Sequence, residues 1–174
     1  VELIALADAF KDRLEMSLNA IKDEFAGEKE INIKEKNKFV GFDAYKNNDY
    51  ETAFEIWYKL AEEGDVIAQN SLGVLFQKGQ GVEKNYSESY KWFKKSAEDG
   101  YTPAQVSLGY VYDQGMGLNR NKVKAFMWWK IASLHGDNDA KTLLQILLTE
   151  MNENEKHLAS EKADKCLNND FKNC

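Results

Sequence analysis

Proline is almost missing from this chain: Pro103 is the only one in 174 residues. Turns must therefore be built on the 11 glycines, and helices can run without interruption. Basic charge is also in deficit, with 23 Lys and Arg against 29 Asp and Glu and a net charge of -6. Phosphate backbones and anionic membrane surfaces both call for a dense cationic face, so no nucleic-acid partner is expected. No apolar run approaches the ~20 residues that cross a bilayer, which argues against membrane insertion. Histidine and cysteine are scarce: His135, His157, Cys166 and Cys174 complete the set. Zinc takes four ligands at recognisable spacing, and these residues do not supply them. No metal, cofactor or catalytic residue is therefore expected.

Hydrophobic residues make up 43% of the chain and charged ones 30%, the balance of a globular protein with one sizeable core. The organising signal is self-similarity at an offset of 36 residues. Gly64, Gly100 and Gly136 share one register, as do Trp57, Phe93 and Trp129. So do Phe54, Tyr90 and Phe126, then Ala61, Ala97 and Ser133, then Ala68, Ala104 and Ala140, then Leu72, Leu108 and Leu144. Gly73 pairs with Gly109, and the Gly79/Gly81 turn with Gly115/Gly117.

Within a unit the pattern reads as two antiparallel helices. Asp49, Asn85 and Asn121 each precede an apolar-periodic stretch, and their side chains suit helix N-caps. Glu88, three residues after Asn85, suggests a capping box. Phe54, Trp57 and Ala61 form one stripe by i, i+3, i+4 spacing, closed by Gly64. The next helix starts after Asp65, Thr102 or Asp137, with Thr102 as cap and Pro103 in the first turn. Gly73 and Gly109 lie beside its stripe, where a missing side chain lets two helices approach.

These residues resemble the Sel-one-like repeat family, a branch of the tetratricopeptide-type helical solenoids. The resemblance rests on Ala97-Glu98-Asp99-Gly100, Ala104-Gln105, Leu108-Gly109, Tyr112, Gly115 and Gly117. The preceding copy repeats it with Ala61-Glu62-Glu63-Gly64, Ala68-Gln69, Leu72-Gly73, Phe76, Gly79 and Gly81. It covers roughly residues 39 to 148 and fades in the third copy, where Lys141 and Gln145 replace the glutamine and glycine. The resemblance implies an all-α fold: a right-handed superhelix of antiparallel helix pairs whose members mostly act as protein-binding adaptors.

Three regions follow: 1–35 as an amphipathic helix and connector, 36–150 as the repeat array, and 151–174 as a capping helix with a cysteine-containing tail. In the first, Leu3, Ala7, Phe10, Leu14, Leu18, Ile21 and Phe25 line one face and Gly27 closes it. That stripe suits a cap on the first repeat, with self-association or a mobile arm as alternatives. The charged run 28–38 reads as the connector. In the last region, Asn152 and Glu155 form a capping box, and Leu158, Ala163 and Leu167 line the helix. Cys166 and Cys174 suit a local disulfide, which would place the protein in an oxidising periplasmic or secreted setting; free thiols would fit a cytoplasmic one. The opening Val1 suits a processed or trimmed start.

His135 fills the slot of Glu63 and Asp99 and reads as a turn residue. The Gly-x-Gly turns follow helices rather than strands, so they are not phosphate cradles. Trp92 and Trp128 sit one residue before the core aromatics and serve packing or binding. The expected function is therefore a protein-binding module: a bacterial envelope adaptor, assembly factor or inhibitor of immunity type. A structural spacer subunit is the alternative, and an enzyme a distant one. The expected surface is the concave wall, presenting Phe42, Tyr45, Asn70, Val74, Gln77, Val106, Tyr110 and Asp113 to another protein or peptide.

Overall fold

The computed structural model describes residues 33–172 and Cys174. The segment carrying Leu3 to Phe25, with its expected capping role, lies outside the described residues. What is described is helical, with no strand: α1 Ile33–Lys46, α2 Tyr50–Glu62, α3 Val66–Lys78, α4 Tyr86–Glu98, α5 Thr102–Gln114, α6 Lys122–Leu134, α7 Asn138–Leu148 and α8 Glu153–Leu167. The charged run read as a connector is already helical from Ile33.

Helix starts follow the side chains that can hold free first-turn amides. Asp65 accepts from the N–H groups of Ile67 and Ala68 at 3.0 and 2.9 Å. Asn85 accepts from those of Ser87 and Glu88, Asn121 from Lys124, and Asp137 from Ala140. Two expected details differ. Glu88 does not return a bond to the Asn85 backbone: the Asn85 N–H donates to the Phe76 carbonyl at 2.9 Å, and the Glu88 carboxylate pairs with Lys91. Thr102 is the first helical residue of α5 rather than its cap; Tyr101 takes that place and makes no side-chain capping bond. The Asn152–Glu155 capping box forms as expected. Helices α3 and α5 stop at Gly79 and Gly115, whose φ of 71° and 66° few other residues adopt readily.

Packing runs as a chain of neighbours from α1 to α7, each helix laid against the next. The odd-numbered helices form one row and α2, α4 and α6 the other. The glycine slots explain how closely the rows approach. A Cβ added at Gly73 would meet the Phe93 ring, and one at Gly109 the Trp129 ring. The family glutamine has a role here too. Gln69 donates to the carbonyl of Ala61 at 3.2 Å, and Gln105 to that of Ala97 at 3.4 Å. Each buried amide thus ties an odd helix to the last turn of the even helix before it.

The last helix breaks the stacking order. α8 lies along α6, with Ala159, Ala163 and Cys166 as its buried positions. Leu158, expected on the packed stripe, is 45% exposed instead, because the small residues face inward and Leu158 turns out. The reason α8 chooses α6 is written in the register. Met127 and Ile131 are buried there, where the earlier copies carry Glu55 and Lys59, then Lys91 and Lys95, all exposed. Of α2, α4 and α6, it is α6 that is apolar at both of these positions. Cys166 and Cys174 are disulfide-bonded, as one of the two expectations held.

Candidate protein-binding surface

The expected surface residues fall on three helices and do not share one environment. Phe42 is 3% exposed, its ring set edge-on against Trp57 at 5.4 Å. Asn70 and Val74 are buried as well, Val74 within the apolar cluster that continues into α5. These three present almost no surface to a partner in this arrangement. Tyr45, Gln77, Val106, Tyr110 and Asp113 are half-buried. Tyr45 packs on Trp57 and Tyr50 and donates to Gln80 at 3.4 Å. The Gln77 amide reaches the Met116 sulfur at 3.1 Å, bridging two repeats.

Asp113 is held from one side. Arg120 donates to its carboxylate at 2.8 Å and to Glu150 at 2.9 Å, so the α5–α6 loop is anchored to the end of α7. The guanidinium and the Lys122 ammonium together hold the exposed Glu150 carboxyl below its usual range. Burial, followed by the charges of Asp113 and Tyr86, pushes the Tyr110 hydroxyl above its ordinary value, so it stays neutral and able to donate.

One residue belongs with this set and is overlooked by sequence reasoning. Adding 36 to Val74 gives Tyr110, and adding 36 again gives Ile146. Along that row exposure changes from 4% at Val74 through half-buried Tyr110 to 58% at Ile146. The signal was present in the repeat, but the third copy departs at Lys141 and Gln145 and draws attention away from its other positions.

The remaining candidates resolve into structural contacts. His135 caps α6, contacts Gln105 through Nδ1 at 3.2 Å, and meets the Phe171 ring edge-on. Trp128 is buried at 1%, whereas Trp92 is half-buried, edge-on to Tyr58 with the Lys95 ammonium over its ring. Among the described residues no three His, Cys, Asp or Glu side chains gather in a way that could hold a metal ion. No described helix is long and apolar enough to cross a membrane.

The Sel1 repeat pattern matches residues 39–65, 66–101 and 102–137, the first span beginning within α1 and ending after α2, and the other two each taking in an odd helix and the even helix after it. The chain belongs to the Sel1 repeat family. Among solved structures, this Sel1 repeat chain is similar to c5321, a protective antigen present in uropathogenic Escherichia coli strains and displaying an SLR fold. The TM-score is 0.74 and the identity 25%, over 86% of this chain and 33% of that one. It is also similar to a Sel1 repeat protein from Oxalobacter formigenes, with a TM-score of 0.62 and 31% identity over 74% of this chain and 55% of that one. This Sel1 array therefore spans about a third of the first relative and about half of the second. No curated protein matches it.

Proposed function

We propose that this Sel1 repeat protein holds another protein or peptide against the wall formed by α3, α5 and α7, acting as a non-enzymatic adaptor, assembly factor or inhibitor. Sel1 repeats generally mediate protein interactions, and the odd-numbered row takes the concave side in this reading. The observation that carries it is the Val74–Tyr110–Ile146 row, which ends in exposed apolar surface beside half-buried Val106 and Leu143. An aromatic and branched aliphatics grouped on one wall suit the centre of a protein contact. The backs of α2 and α4 instead carry exposed Glu55, Lys59, Lys91 and Lys95, which suit a solvated face. The Cys166–Cys174 bond supports an oxidising setting such as a bacterial envelope or the exterior. A structural spacer is the second reading, favoured by Leu134, exposed at 61% away from that wall.

The test is capture of a partner from an envelope fraction by the full chain, repeated with Tyr110→Ala and Ile146→Asp. Each should keep the helical spectrum and weaken capture at least tenfold, as central contact residues do (about 1.4 kcal/mol or more). Normal binding by both variants, with loss on Lys91→Glu and Lys95→Glu, would move the site to the other face.

A further inference from the structure

The segment after α8 does more than end a helix. From the Cys166–Cys174 bond it folds back across the ends of two other helices. The Phe171 ring lies 3.5 Å from where a Cβ on Gly100 would stand, and meets the His135 imidazole edge-on. Lys172 forms an ion pair with Asp99. Tyr101 packs in the same cluster as Leu167, Phe171 and Cys174. The repeat offers two controls: no described residue lies within 4 Å of the corresponding position at Gly64 or Gly136. Among the described residues, Gly100 is the one of the three equivalent turns that another segment covers.

The cover is held under backbone strain. Asp170 and Phe171 adopt φ of 45° and 63°, two consecutive non-glycine residues in the left-handed region. That conformation is unfavourable for each and persists only when its surroundings impose it. Backbone bonds shape the turn, with the Phe171 N–H donating to the Cys166 carbonyl at 3.0 Å and that of Lys172 to Asn169 at 2.9 Å, while the Phe171 packing, the exposed Lys172–Asp99 pair and the covalent bond hold it on the array. The disulfide is the covalent restraint among them. Its two sulfurs differ in access, since Cys166 is 3% exposed while Cys174 is only half-buried.

We infer that the Cys166–Cys174 bond is a redox latch: closed, it holds residues 168–172 over the Asp99–Tyr101 turn, and opened by a dithiol reductant it releases them and bares that turn. A reductant thiolate attacks the Cys174 sulfur, the S–S bond breaks, and Cys166 leaves as a thiolate and takes a proton. The second thiol of the reductant then displaces Cys174 from the mixed disulfide, so two electrons and two protons pass to the cysteine pair. The latch is independent of the partner surface proposed above.

Amide hydrogen exchange on the full chain tests it, comparing the oxidised protein, the protein reduced with dithiothreitol, and Cys174→Ser. Reduction and Cys174→Ser should each speed exchange at Asn168–Lys172 and at the Asp99–Tyr101 turn at least tenfold, with α3 unchanged. Phe171→Ala with the disulfide intact should speed exchange at the turn but leave the segment protected. Equal protection of the turn in the oxidised and reduced chains would overturn the latch. So would loss of protection throughout α3 and α5 on reduction, which would make the bond a general staple.

Discussion

Gly109 and Trp129 share one space: a Cβ on the glycine would overlap Cδ1 and Nε1 of the indole, whose N–H donates to the Val106 carbonyl at 3.0 Å. Gly109→Leu should therefore push the ring off its hydrogen bond as well as overfill the contact. Overpacking costs about 1–3 kcal/mol, and each kcal/mol lowers the melting temperature of a chain this size by roughly 2–4 °C. A thermal melt of the variant checks it. An unchanged midpoint would mean that α5 and α6 are not packed through this slot.

The two buried glutamines should not weigh equally. Gln105 uses both ends of its amide, donating to Ala97 and meeting His135, whereas the Oε1 of Gln69 is buried without a partner. Gln105→Leu should therefore destabilise more than Gln69→Leu, by about 0.5–1.5 kcal/mol, the net value of one ordinary hydrogen bond. Urea denaturation of both variants gives the comparison, and the reverse order would contradict it.

Ile131 is fully buried on the helix that α8 packs against, so Ile131→Lys should detach α8. A charge placed at a fully buried position beside Ala159 and Ala163 has no partner, and the cost should exceed about 2 kcal/mol. The loss should be local, read as rapid exchange through α8 while α3 stays protected. Uniform loss across all helices would show that α8 is integral to the whole array.

Tyr101 gives a pH signature. Burial first, and the Asp65 carboxylate second, push its hydroxyl up to about 12, against 10 for a free tyrosine. A group whose folded value is raised stabilises the fold fully below the unfolded value, and that contribution is lost as pH rises from about 10 through about 12. Stability should fall across that window, and Tyr101→Phe should flatten the fall. Ultraviolet titration of tyrosinate should lose one late-ionising group in the same variant. No difference between the two titrations would contradict the assignment.

The repeat makes the fold legible because each unit meets the same neighbours, so a position solved once is solved in every copy. Gly73 and Gly109, Trp57 and Phe93, and the Asn85 and Asn121 caps all follow from that periodicity. What escaped lies where a copy departs from its siblings. Met127 and Ile131 stand out only once they are set against Lys91 and Lys95, and they are what places α8. Thr102 looked like a cap by residue type, but the chain enters α5 one residue earlier, at Tyr101. The expected surface was read from register alone, which does not carry depth: Asn70 and Val106 are equivalent in the repeat, yet one is buried and the other half-exposed. Depth depends on what lies across from each helix, and a one-dimensional pattern does not carry that.

Because α8 turns back along α6, the odd row runs one helix further than the even row. Among the described residues, α7 is braced along α6 and has no following even helix on its other side. The most exposed apolar position of the wall, Ile146, thus sits on the helix with the least lateral support. Among the described residues α3 and α5 each lie between two even helices whereas α7 rests on one, so a partner seated at Ile146 would give α7 the second neighbour that the repeat gives its siblings.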